Sequence, residues 1–229
     1  MVQSYSYQGQ DLFVVEASGS QRNGFFLDSG ASGGLRGSNT KLLEEAFGWQ
    51  GICVEPNSSL FAELVSNRTC ICLNCCLYSR DGPVEFFEAG NVYGGILEEY
   101  DAGLLRLARS FAASESAKRG VAAVTETVIK QARTLRSVLR SCGAPSIIDY
   151  WSLDTEGSEL ALLQTFPFDR YRFRFLTVEH NFTAARGEIF SFLTARGYRR
   201  VRNLGIDDGY MWVGSHTRSA WRSRAWPAR

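Results

Sequence analysis

The 229-residue chain is short of lysine, histidine and net charge, and each shortage closes off a class of function. Lysine occurs only at Lys41, Lys118 and Lys130, the other basic residues are arginine, and the formal net charge is +1. Such a chain has no broad positive field to gather nucleic acid or an acidic membrane, so neither partner is expected. No apolar run reaches the roughly 18 residues that a membrane-spanning helix needs. The first residues, Met1-Val2-Gln3-Ser4-Tyr5, lack the basic and apolar regions of a secretory signal, and a cytoplasmic setting is expected. Histidine is confined to His180 and His216. Two nucleotide fingerprints are also missing. From Gly30 the chain reads Gly-Ala-Ser-Gly-Gly-Leu, with serine third and leucine sixth, so G-x-G-x-x-G is not satisfied, and no G-x-x-x-x-G-K-[ST] occurs.

What is present is a glycine-rich turn at a strand end. Gly24-Phe25-Phe26-Leu27 reads as a buried strand that stops at Asp28, and Ser29-Gly30-Ala31-Ser32-Gly33-Gly34 follows. Glycine lets the backbone turn sharply and approach a ligand that a side chain would hold away. A second apolar run, Gly51-Ile52-Cys53-Val54, ends in Glu55. An acidic residue closing the second strand of a βαβ unit is placed to accept hydrogen bonds from two ribose hydroxyls. The opening third of the chain therefore reads as a site for a nucleoside-containing cofactor.

The rest alternates strands and helices. Strands are expected at 24–28, 51–55, 70–77, 147–154 and 173–179, an extended arm at 84–88, and an antiparallel pair at 198–204 and 209–214. Helices are expected near 38–48, 58–67 and 184–196. This pattern gives one α/β domain over 1–229, built on a mostly parallel sheet with an antiparallel final strand and helices on both faces. Asp28, Glu55, Asp154 and Glu179 all fall at strand ends and should gather on one rim. Arg170, Arg172 and Arg174 alternate with Tyr171, Phe173 and Phe175, which suits a strand with one wet face. Residues 90–146 form an insertion with helical composition at 104–113 and 124–139, Thr125 being a cap candidate; it is either a substrate lid or a packing helix pair.

Cys70-x-Cys72-x-x-Cys75-Cys76 has two readings, a metal knuckle or a buried strand that uses cysteine as a small hydrophobe. In an extended strand Cys70, Cys72 and Cys76 share one face and Cys75 points away, so four thiols do not converge. Reduced thiols and no cysteine-bound metal are expected.

Asp28-x-Gly30-Ala31-x-x-Gly34 resembles the first motif of the class I S-adenosylmethionine-dependent methyltransferases. Together with Gly48-Trp49-Gln50-Gly51-Ile52-Cys53-Val54-Glu55-Pro56-Asn57, Leu153-Asp154-Thr155-Glu156-Gly157-Ser158-Glu159, Thr177-Val178-Glu179-His180-Asn181, Gly197-Tyr198 and Asp207-Asp208-Gly209-Tyr210, it makes most of the chain resemble the FkbM-type methyltransferases. Ser29 and the cysteine-rich third strand depart from that pattern. The resemblance implies a class I, Rossmann-like methyltransferase fold, S-adenosylmethionine as cofactor, and methyl transfer to a hydroxyl of a sugar, polyketide or similar small molecule. A cofactor-binding module without turnover, or transfer to nitrogen or carbon on the same fold, is the alternative.

On that reading, backbone at Gly30 and Ala31 passes the methionine and ribose portions, with Asp28 at the head of the turn. Asn39 joins the free N–H groups of the following helix around the methionine carboxylate. Glu55 takes the ribose hydroxyls, Asn74 or Cys75 sits near the adenine, and Asp154 suits the methionine ammonium or a metal. For the chemistry, His180 is a candidate general base oriented by Glu179; the plainer reading is a hydrogen-bonded residue at a strand end. Asp154, Glu156 and Glu159 offer a second mechanism, in which carboxylates at the rim hold a divalent cation, although no metal is expected as a rule.

Overall fold

A computed structural model describes residues 2–89, 94–99 and 125–214, with scattered positions between 103 and 114. The first half runs α1 (Gln10–Ala17), β1 (Phe25–Ser29), α2 (Lys41–Phe47), β2 (Gln50–Val54), α3 (Ser58–Asn67), β3 (Ile71–Leu73), β4 (Cys76–Leu77), β5 (Gly82–Ala89) and β6 (Gly95–Ile96). The second half runs β7 (Thr125–Arg133), α4 (Leu135–Ser141), β8 (Ile147–Leu153), α5 (Glu159–Thr165), β9 (Arg172–Glu179), α6 (Ala185–Ala195), β10 (Tyr198–Leu204) and β11 (Asp207–Trp212).

Seven strands form the main sheet in the order β10-β11-β9-β8-β1-β2-β3. From β3 to β9 the neighbours are parallel, and β11 lies antiparallel to both β9 and β10. This is the mostly parallel sheet with an antiparallel final strand that the sequence suggests. The order turns back at β1, whose neighbours are β2 on one side and β8 on the other; open α/β sheets place ligands at such a point.

Strand alternation builds two cores, one on each face. Phe26, Cys53, Tyr150 and Phe175 pack against Phe13 and Val14 of α1, Leu42, Leu43 and Phe47 of α2 and Leu64 of α3. Their sequence neighbours Leu27, Ile52, Trp151 and Leu176 face the other way, onto Val138 and Leu139 of α4, Leu162 and Leu163 of α5, and Ile189 and Leu193 of α6. Along β9, Arg172 and Arg174 are exposed while Phe173 and Phe175 are buried, as the period of two requires.

Two expectations are corrected. The strand expected at 70–77 breaks after Leu73: β3 stays in the main sheet, and β4 joins a second sheet of order β4-β7-β5-β6. The cysteines consequently split three ways. Cys70 and Cys72 pack beside α2 and α3, Cys75 lies in the opposite core, and Cys76 packs in the second sheet with Val84 and Phe86. All six are free thiols. In addition, residues 125–133 are a strand, not part of a helix at 124–139. Thr125, Thr127, Val128 and Ile129 are residue types that lose side-chain freedom in a helix and suit a pleated surface, and residues 125–132 pair antiparallel with β5. The cap of α4 is Thr134, its hydroxyl accepting from the Ser137 N–H at 3.2 Å, and Thr125 lies within the strand. The expected helical stretch at 104–113, His216 and the residues after Gly214 lie outside the described residues or only partly within them.

Candidate active site

The glycine turn and the ends of four strands enclose one cavity. Gly30 adopts φ +82°, and both its N–H and that of Ala31 donate to the Val54 carbonyl, at 3.0 and 3.1 Å. A Cβ built on Gly30 would stand 1.8 Å from the Asp154 carbonyl oxygen. Only glycine lets the end of β1 lie this close to the end of β8. The result is a cavity of about 440 Å³ lined by Asp28, Glu55, Asp154 and Glu179, the four strand-end acids expected on one rim. That volume falls within the range of small-molecule sites, roughly 300–1,000 Å³. The facing wall is apolar and comes from the second sheet, through Leu77, Phe86 and Ile96.

At one end, the buried Glu55 carboxylate accepts from the Ser32 N–H and the Asn57 N–H, each at 2.8 Å. Burial pushes its pKa up to about 7, while those two N–H groups pull it down. The clamp fixes the carboxylate against the cavity and leaves its remaining lone pairs for a ligand. Asn57 also caps α3, its side chain accepting from Ser59 and Leu60. Under β1, Asp28 accepts from the Thr40 hydroxyl at 2.6 Å, and Arg68 in turn donates to Thr40 at 2.9 Å. Burial raises the Asp28 pKa against the pull of Arg68. Asn39 donates to the Ser152 hydroxyl at 2.9 Å, and its Oδ1 is buried, lines the same cavity and has no partner.

At the other end, ligand atoms of Asp154, Glu156 and Glu179 lie within 4.8 Å of one another. Burial comes first among the causes that raise all three pKa values, and their mutual repulsion adds to it. Glu156 and Glu179 are each pushed up to about 8. Glu179 Oε2 is buried without a partner.

The family model for the methyltransferase FkbM domain matches residues 28–200, most of the chain. The chain belongs to the FkbM methyltransferase family. Membership implies S-adenosylmethionine as methyl donor, and the fold is the Rossmann-like one of class I methyltransferases. No curated protein matches the sequence. Among solved structures, the precorrin-6y C5,15-methyltransferase from Geobacter metallireducens GS-15 is 8% identical with a TM-score of 0.45, over 88% of this chain and 86% of that one. The methyltransferase domain of METTL16 is 10% identical with a TM-score of 0.46, over 88% of this chain and 65% of that one. The human methyltransferase 10 domain containing protein is 10% identical with a TM-score of 0.42, over 93% and 84%.

In this FkbM domain the cavity gathers Asp28, Gly30, Ala31, Asn39, Glu55, Cys75, Asp154 and Glu179, as read from the sequence. Three expectations change. Asn74 does not line it; its amide braces the loop by donating to the carbonyls of Glu55 and Pro56, at 2.8 and 3.1 Å. At the start of α2 the Ser38 hydroxyl accepts from the Thr40 and Lys41 N–H groups, at 3.4 and 3.1 Å, while the Asn39 amide turns to Ser152. Glu159 is not in the acidic trio, because its Oε1 accepts from Thr155 and Gly157 N–H groups and closes the loop before α5.

His180 is the largest displacement. Glu179 and Asn181 line the cavity on either side of it, but His180 does not. Its Nδ1 accepts from the Phe182 N–H at 3.1 Å, and Nε2 lies 3.9 Å from Asp208, which Arg186 and Arg200 already hold. Burial lowers its pKa, so the ring is neutral. The plainer reading, a hydrogen-bonded residue beyond a strand end, is the one the geometry fits. Sequence reasoning missed the apolar wall: alternation in Val84-Glu85-Phe86 marks a buried face, but nothing local says which cavity that face closes.

Among the described residues no helix is long and apolar enough to cross a membrane.

Proposed function

We propose that the chain transfers the methyl group of S-adenosylmethionine to a hydroxyl of a small molecule held at the acidic rim. The observation that carries this is the two-ended cavity, with a clamped carboxylate at one end and crowded, proton-hungry carboxylates at the other. When bound, the cofactor supplies an electrophilic methyl carbon on a sulfonium. The residues present fit it. Glu55 accepts from the ribose hydroxyls, backbone at Gly30 and Ala31 lies along the cofactor's middle, and Cys75 forms wall on the adenine side. The unpartnered Oδ1 of Asn39 suits the methionine ammonium, a donor, better than a carboxylate.

An acceptor hydroxyl placed behind the methyl carbon attacks in line, so positioning supplies much of the rate. Asp154 and Glu179 at the rim receive its proton as the new C–O bond forms and the S–C pair returns to sulfur. Glu179, its pKa pushed up to about 8 chiefly by burial, is well matched to that task. The apolar-walled cavity favours a small acceptor over nucleic acid or a membrane lipid, and Gly95 and Ile96 form part of that wall. A pure binding module has no use for three carboxylates forced together, one of them buried.

Calorimetric titration with S-adenosylhomocysteine, beside a Glu55→Ala variant, tests the cofactor end. Micromolar binding lost in the variant supports the reading; a folded protein that binds nothing sinks it. A screen of hydroxyl against amine acceptors then tests the other end, with Glu179→Gln expected to cut turnover while cofactor affinity is retained.

A further inference from the structure

The acidic trio has no protein partner for its charge. No lysine or arginine pairs with Asp154, Glu156 or Glu179 among the described residues; the Asp154 and Glu179 carboxyls hydrogen-bond to each other, which leaves their negative charge unmatched. The N–H groups of Thr155 and Gly157, on either side of Glu156, go to Glu159 instead. Three like charges this close cannot all ionise alone. Glu179 is only 5% exposed, lines the cavity and leaves Oε2 without a partner. A buried orphan of this kind calls for a ligand.

We propose that Asp154, Glu156 and Glu179 bind a divalent cation of the hard, oxygen-seeking class, such as magnesium or manganese. Two oxygens on opposite sides of such an ion, at about 2.0–2.4 Å each, lie about 4–5 Å apart. The observed spread of 4.8 Å or less therefore accommodates one ion without rearranging the backbone. Carboxylate oxygens without thiolate or imidazole select this class over zinc or copper. Three protein ligands leave coordination positions open towards the cavity. The chemical use of the ion rests on the methyl-transfer reading above. With the ion bound, its three ligands would no longer take up the proton themselves: a hydroxyl on the cation would lose its proton to solvent more readily, its oxygen lone pair forming the C–O bond to the methyl carbon as the S–C pair returns to sulfur.

The test is manganese binding by the full chain after chelator treatment, with free Mn²⁺ read by electron paramagnetic resonance and S-adenosylhomocysteine binding measured on the same samples. One Mn²⁺ per chain in the micromolar range, displaced by magnesium and weakened at least tenfold in both Glu179→Gln and Glu156→Gln, is the expected result. Retained S-adenosylhomocysteine affinity shows that each variant is folded. Absence of Mn²⁺ binding up to millimolar concentration overturns the inference, and so does binding that neither variant changes. If Mn²⁺ binds as expected but S-adenosylhomocysteine does not bind the wild type, the cation site stands and the methyl-transfer reading fails. The reverse result removes the cation alone.

Discussion

Replacing Glu55 by glutamine tests the cofactor end through proton release rather than through loss of binding alone. In the free protein the carboxyl has its pKa pushed up to about 7, chiefly by burial. Ribose hydroxyls need the ionised form as acceptor. With a pKa of about 7, roughly one molecule in eleven is ionised at pH 6 and ten in eleven at pH 8. S-adenosylhomocysteine affinity should therefore rise about tenfold across that interval, with a proton released on binding at the lower pH. Glu55→Gln should flatten the pH dependence and weaken binding at pH 8 by roughly 10- to 100-fold, the loss of one charged hydrogen-bond acceptor. Calorimetry at both pH values, in two buffers of different ionisation heat, counts the protons directly. Affinity that is independent of pH in the wild type, with no proton release, would refute the assignment. Stability carries the same group. The native carboxyl keeps its proton to about pH 7, whereas an unfolded glutamate loses it near 4.5. The associated stabilisation is complete below pH 4.5 and is lost as pH rises through 7, about 3 kcal/mol in all. The difference between wild type and Glu55→Gln across that window isolates this residue from the other raised acids.

Gly30→Ala forces a Cβ into the Asp154 carbonyl at a left-handed φ, so thermal denaturation should show a loss of roughly 3 kcal/mol or more, about 10 °C; an unchanged melting temperature contradicts the close approach. His180→Asn should leave S-adenosylhomocysteine affinity within twofold and cost roughly 1 kcal/mol in urea unfolding, from the lost edge-on contact with Phe182. A collapse of cofactor binding in that variant would return His180 to the site. Asn57→Ala removes the α3 cap and should cost about 1 kcal/mol by the same measurement.

The parallel sheet was legible because its strands are buried on both faces and announce themselves as apolar runs. The α3 helix at 58–67 matches its expected bounds, since Asn57 caps it and the helical composition is unbroken. Where composition and pairing disagree, pairing wins. Ala132 and Val128 have helix-compatible neighbours, yet β5 offers Val84 and Phe86 a partner strand, and the long-range ladder outweighs local preference. The break at Asn74 is equally non-local: nothing in Cys72-Leu73-Asn74-Cys75 shows that one half pairs with β2 and the other with β7.

The site follows the same division. Residues at the ends of parallel strands were placeable because strand direction alone puts Asp28, Glu55, Asp154 and Glu179 on one rim. The residue that follows Glu179 was not. Beyond Glu179 the chain turns through Asn181 and Phe182, both at positive φ, and that turn sends the His180 ring towards Asp208 instead of the cavity. Glu159 and Glu179 exchange roles for the same reason: the loop before α5 curls its own N–H groups onto Glu159 and removes it from the trio, while β9 delivers Glu179 into it. Proton chemistry at this rim thus belongs to carboxylates whose crowding comes from topology. The sequence pattern names the strand ends, and only the folded loops decide which acids meet there.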